Sequence, residues 1–68
     1  MKELKLEGEF IALCDLLKTM NLTENGGEAK HMIADGKVLV DGAVELRKRC
    51  KIRLGQVVEY QGTKIMIT

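Results

Sequence analysis

The 68 residues predict an α+β fold, a small antiparallel sheet of four to five strands with two helices packed on it. Three observations carry this. Phe10, Leu13, Leu17 and Met20 recur at helical spacing, and Leu16 widens their apolar stripe. A second helical stretch, about Gly27–Asp35, closes at Gly36, a residue suited to the left-handed position that ends a helix. From Lys37 onward, short runs rich in Val and Ile are separated by Asp-Gly and Gln-Gly pairs, the pattern of hairpins. One domain over residues 1–68 accommodates all of it. A chain of this size buries only about 60% of its unfolded surface and leaves little room for an enclosed catalytic cavity.

In chain order, Lys2–Glu7 sets Leu4 and Leu6 on one face against Glu3, Lys5 and Glu7, which predicts a strand ended by Gly8. Glu9–Met20 is the first helix, with Lys18 suited to the dipole of its last turn. Asn21–Gly27 is a connector whose Asn25-Gly26-Gly27 run caps and opens the second helix. That helix buries Ala29, Met32 and Ile33. Lys37–Val40 and Ala43–Glu45 form a hairpin about Asp41-Gly42, and Val57–Tyr60 and Lys64–Ile67 another about Gln61-Gly62. There is no proline and no repeat.

Composition excludes several function classes. Phe10 and Tyr60 are the only aromatic residues, so the core is aliphatic and a binder that grips bases on aromatic platforms is disfavoured. Cys14 and Cys50 lack the spacing of a disulfide framework and are expected to be reduced and buried in a soluble, cytoplasmic protein. Met1–Glu9 is too charged for a signal peptide, and Phe10–Leu17 is too short to span a membrane. Cys14, His31 and Cys50 show none of the close pairing of structural zinc ligands. No nucleophile–base constellation stands out, and the Gly-rich run lacks the Lys-Ser/Thr ending of a P-loop. No catalytic residue, metal or cofactor is expected. Asp35 and Asp41 are explained by a helix end and a turn.

The charge is concentrated in one place. Leu46–Leu54 holds five of the eleven Lys/Arg residues, Arg47, Lys48, Arg49, Lys51 and Arg53, and no acid. The other 59 residues carry six bases against ten acids, a net charge of −4. Read as an extended segment, it places Leu46, Cys50, Ile52 and Leu54 on an inner face. Arg47, Arg49, Lys51 and Arg53 then stand outside, roughly 7 Å apart. Lys48 alone breaks the alternation, which puts it in a bend or shifts the register around it. Such a rail can be an edge strand whose charges prevent aggregation. Five cations in seven positions exceed that need and are the electrostatic footprint of phosphate contact. Gly26 and Gly27 open a helix with free N–H groups, a second anion-seeking feature, although Glu28 competes for the dipole. Lys30, His31 and Lys37 are the remaining candidates, each also readable as a plain surface residue.

The run Glu28-Ala29-Lys30-His31-Met32-Ile33-Ala34-Asp35-Gly36-Lys37-Val38-Leu39-Val40-Asp41-Gly42, followed by Gly55-Gln56-Val57-Val58, resembles the RNA-binding domain of the ribosomal protein S-four type, the alpha-L motif. The start Gly26-Gly27-Glu28-Ala29-Lys30 together with Arg47-Lys48-Arg49-Cys50-Lys51 is similar to its short stand-alone, YbcJ-like group. The resemblance covers about residues 10–60. Longer members carry an Arg where this chain has Gly26, so their contacts do not transfer there. What the resemblance implies is non-enzymatic binding of structured RNA, ribosomal or transfer RNA, with a ribosomal or assembly-protein partner and no membrane. The expected RNA-binding residues are Gly26, Gly27, Lys30, His31, Lys37, Arg47, Lys48, Arg49, Lys51 and Arg53. The alternative is a protein-interaction module whose basic rail docks an acidic partner.

Overall fold

Two tight turns set most of the sheet. Asp41 and Gly42 have φ of 52° and 85°, and Gln61 and Gly62 have φ of 52° and 78°. Positive φ at both central residues is the signature of type I′ hairpin turns, whose twist matches that of the strands they join. The computed structural model describes residues 1–68. Its elements are β1 (Lys2–Leu4), β2 (Ile11–Ala12), α1 (Leu13–Thr19), α2 (Gly26–Ala34), β3 (Val38–Val40), β4 (Ala43–Val44), β5 (Lys51–Ile52), β6 (Val57–Tyr60) and β7 (Thr63–Ile67).

Five strands make one sheet in the order β1-β7-β6-β3-β4, and β2 and β5 form a separate two-stranded ladder. The α+β class holds, but the sheet is mixed: β1 runs parallel to β7, with Lys2 opposite Ile65 and Leu4 opposite Ile67. Local alternation cannot reveal this direction. A hairpin forces antiparallel neighbours, whereas β1 reaches β7 through both helices and is free to run either way. Val38, Val40, Val58, Tyr60, Ile65 and Ile67 face inward through the registers Val38↔Tyr60, Val40↔Val58 and Val58↔Ile65. Leu13, Leu16 and Leu17 of α1 and Ala29 and Ile33 of α2 cover that face, and Ile52 closes the core from β5.

Helix α1 starts at Leu13, four residues later than Glu9. Ile11 and Ala12 are drawn into the ladder with Ile52 and Lys51, and Phe10 is left 42% exposed instead of joining the core stripe. The helix has Ala12 at its N-cap and no side-chain cap. Its first donors are satisfied from elsewhere: the Leu13 N–H donates to the Cys50 carbonyl at 2.9 Å and the Cys14 N–H to the Lys48 carbonyl at 3.1 Å. Helix α2 is capped locally. Asn25 Oδ1 accepts from the Glu28 N–H at 2.9 Å. At the other end, the Gly36 N–H reaches the Ile33 carbonyl and the Lys37 N–H the Met32 carbonyl, which together form a Schellman closure.

Candidate nucleic-acid interface

The basic stretch is not one extended rail. The Cys50 N–H donates to the Arg47 carbonyl at 3.1 Å, closing a turn with Lys48 and Arg49 at its tip. Lys48 therefore lies in a bend, one of the two readings its parity allows. Only Lys51–Ile52 is strand, and there the alternation survives, with Ile52 fully buried and Lys51 and Arg53 exposed. Leu46 and Leu54, expected as inward anchors, are 61% and 70% exposed. What holds the segment is the Ile52 side chain, half-buried Cys50 and the two carbonyls that cap α1. Residues 46–51 line an open concavity on the surface.

Arg47 differs from its neighbours. Its Nε and Nη2 donate to the two oxygens of Glu45 at 2.9 and 3.1 Å, and its backbone N–H donates to the same carboxylate at 3.0 Å. The Arg47 guanidinium and backbone N–H hold the Glu45 carboxyl down at about 2, against an ordinary value of 4.5. Glu45 in turn raises the Arg47 pKa. The rail thus carries an acid one step outside the window that defines it, and Arg47 is paired with it. Burial, aided by Glu45, pushes the Cys50 thiol up, away from the reactive thiolate.

Only one other ion pair forms within 4.0 Å, His31 Nε2 to Asp35 Oδ2 at 3.4 Å, when the imidazole is protonated. Lys48, Arg49, Lys51 and Arg53 have no acidic partner within that distance. Lys51 and Arg53 instead lie over the Phe10 ring, with Nζ 4.9 Å and Cζ 5.7 Å from its centroid. Such contacts are worth roughly 0.5–1 kcal/mol at exposed sites.

The remaining candidates fall along α2. Gly26 and Gly27 begin the helix, and neither N–H has an acceptor in the chain. A Cβ on Gly27 would lie 3.3 Å from Asn25 Oδ1, so glycine there keeps the cap uncrowded. Lys30 is half-buried one turn on, and His31 is exposed beside Asp35. Lys37 is exposed just past the opposite helix end. Gly36, at that end, lies against Val44 and Leu46, where the basic segment begins. Gly27 is nine residues back along the helix, roughly 13 Å at 1.5 Å per residue. The candidates therefore fall in two groups, one along α2 and its C-terminal end, the other at the Arg47–Cys50 turn and β5, where the charge is densest.

Sequence reasoning missed three parts of this surface: the Glu45 clasp, the carbonyl caps and the exposure of Phe10. Glu45 stands two positions before Arg47, and a wider window reveals the pair. The absence of any Ser, Thr, Asp or Asn just before Leu13 signals a helix that needs outside acceptors.

A profile described as the S4 domain matches residues 4–68. The chain belongs to the S4 domain family. YbcJ of Escherichia coli (strain K12) is 53% identical over 57 residues, 84% of this chain and 81% of YbcJ. RlbA of Bacillus subtilis (strain 168), named a probable ribosome maturation protein, is 32% identical over 59 residues, 87% of this chain and 83% of RlbA. The solution structure of E. coli YbcJ, described as revealing an ALFAL motif involved in RNA-binding, aligns with a TM-score of 0.76 and 46% identity. It covers 100% of this chain and 87% of the other.

Proposed function

We propose that this S4-domain chain binds structured RNA through phosphates and performs no catalysis of its own. The carrying observation is the set of four cations without acidic partners, Lys48, Arg49, Lys51 and Arg53, on a segment fixed by backbone hydrogen bonds. The arrangement suits an A-form helix, which proteins recognise mostly by shape and backbone. The alpha-L description of the YbcJ structure supports the same reading. Lys30 and the Gly26 and Gly27 N–H groups extend the surface along α2. His31 and Lys37 flank it, His31 beside Asp35. The likeness to RlbA supports ribosomal RNA and an assembly context.

Five phosphates contacted by five rail cations imply a log–log salt slope of about −3.5 to −4.5. With Arg47 held by Glu45, four remain, and the slope becomes about −2.8 to −3.6. Raising salt fourfold then weakens binding about 50- to 150-fold. Fluorescence anisotropy on an RNA hairpin over a salt series measures this. Lys48→Glu with Arg49→Glu is expected to remove most of the affinity without lowering the melting temperature, since both side chains stand at a solvent-exposed turn. A flat salt response overturns the phosphate reading, and capture of an acidic protein that survives high salt and nuclease favours a protein partner.

A further inference from the structure

Phe10 has no role in the core, and its surroundings are those of a binding ledge. Ile11 pairs with Ile52, so Phe10 continues the ladder opposite Arg53, with Lys51 on the diagonal. Both cations lie over the ring, at 4.9 and 5.7 Å, while Phe10 as a residue stays 42% exposed. It also borders an open groove whose wall combines Leu4, Leu6 and Ile11 with Lys5, Glu7 and Thr19. An exposed aromatic side chain, a groove of mixed apolar and polar lining and two cations thus share one corner of the molecule.

We propose that Phe10 and this recess take an unpaired nucleobase of the RNA, while Lys51 and Arg53 hold the adjoining phosphates. The inference rests on the RNA reading above and deepens it by naming the RNA class: a structured element with a bulge, an end or a junction beside the duplex. Charge complementarity selects this occupant. A nucleotide presents a flat π-face joined to an anion, which matches a ring flanked by cations; an acidic peptide supplies the anion without the flat face. Base-paired nucleotides are confined to the stack, whereas bulges and ends splay their bases out for stacking on aromatic side chains. One aromatic residue gives no continuous platform, so a single base is taken.

The test uses the full chain and two RNA hairpins, one blunt and one with the same stem plus a single bulged uridine. The bulged probe is expected to bind more tightly by roughly 5- to 150-fold, the range for stacking one base. Phe10→Leu is expected to erase that difference and leave blunt-hairpin affinity within about twofold. Phe10→Trp should keep it. With 5-iodouridine at the bulge, irradiation should crosslink residue 10. Equal binding of the two probes overturns the proposal, as does a Phe10→Leu variant that weakens both equally and melts lower, which marks a packing role. Failure of the wild type to bind either hairpin defeats the RNA reading itself, a distinct outcome. Tighter binding of a poly-glutamate peptide than of either hairpin gives the ledge to a protein partner and overturns it too.

Discussion

Glu45 decides how much of the Arg47 charge can reach a ligand. Its carboxylate accepts two guanidinium hydrogen bonds and one from the Arg47 backbone, so a phosphate must displace an acid already in place. An exposed pair of this kind is weakly held, because solvent and salt screen it. Glu45→Gln is therefore expected to strengthen RNA binding by up to roughly fivefold and to steepen the salt slope toward that of five cations. The carboxyl also has a pH signature. Its folded value, about 2, lies below its ordinary 4.5, so the clasp contributes fully above about pH 4.5 and is lost as the pH falls through 2. A side-chain carboxyl titration by NMR with a midpoint near 4.5 would show that the clasp does not form in solution. The concentration of positive charge in 47–53 was legible in composition. Which cations are free was not, because that depends on a side chain outside the cluster.

At the scale of elements, local chemistry and tertiary demand divide the outcome. The Asp41-Gly42 and Gln61-Gly62 turns were readable because left-handed geometry selects few residue types. Helix α2 was readable because its cap and its glycine closure lie within its own sequence. Asn25→Ala should accordingly lower stability by about 1 kcal/mol, a fall in melting temperature of about 4–8 °C by circular dichroism. Helix α1 was readable only in its second half. The apolar stripe Leu13, Leu16, Leu17 persists, but the ladder with β5 claims Ile11 and Ala12, and no helical periodicity can show that competition. The basic segment misled for the opposite reason. Its period-2 pattern looks like a strand across Leu46–Leu54, yet the Arg47–Cys50 turn breaks it and only residues 51–53 keep the alternation.

Over the whole molecule, two helices and the sheet share one small core, and its members are closely interdependent. For 68 residues the total stability expected is roughly 3–10 kcal/mol. Ile52 joins the ladder to that core with no exposed surface. Ile52→Ala should cost about 2–5 kcal/mol, a large part of the total, and urea titration should show a much lower midpoint. A change under about 0.5 kcal/mol would mean that β5 contributes little to the core. The fold class followed from patterning along the chain, while the parallel pairing of β1 with β7 did not, because a long connection leaves strand direction open.

The capping of α1 by the carbonyls of Lys48 and Cys50 has an evolutionary consequence. Peptide carbonyls are present whatever side chains stand at the exposed tip. With Cys50 and Ile52 kept as anchors, the path of this turn is specified apart from the chemistry of Lys48 and Arg49. The residues at its tip can drift from basic to polar or aromatic without the scaffold having to be solved again. A fold built this way is readily re-aimed, by natural divergence or by grafting in the laboratory, because its recognition surface and its architecture are written in different groups of the same chain.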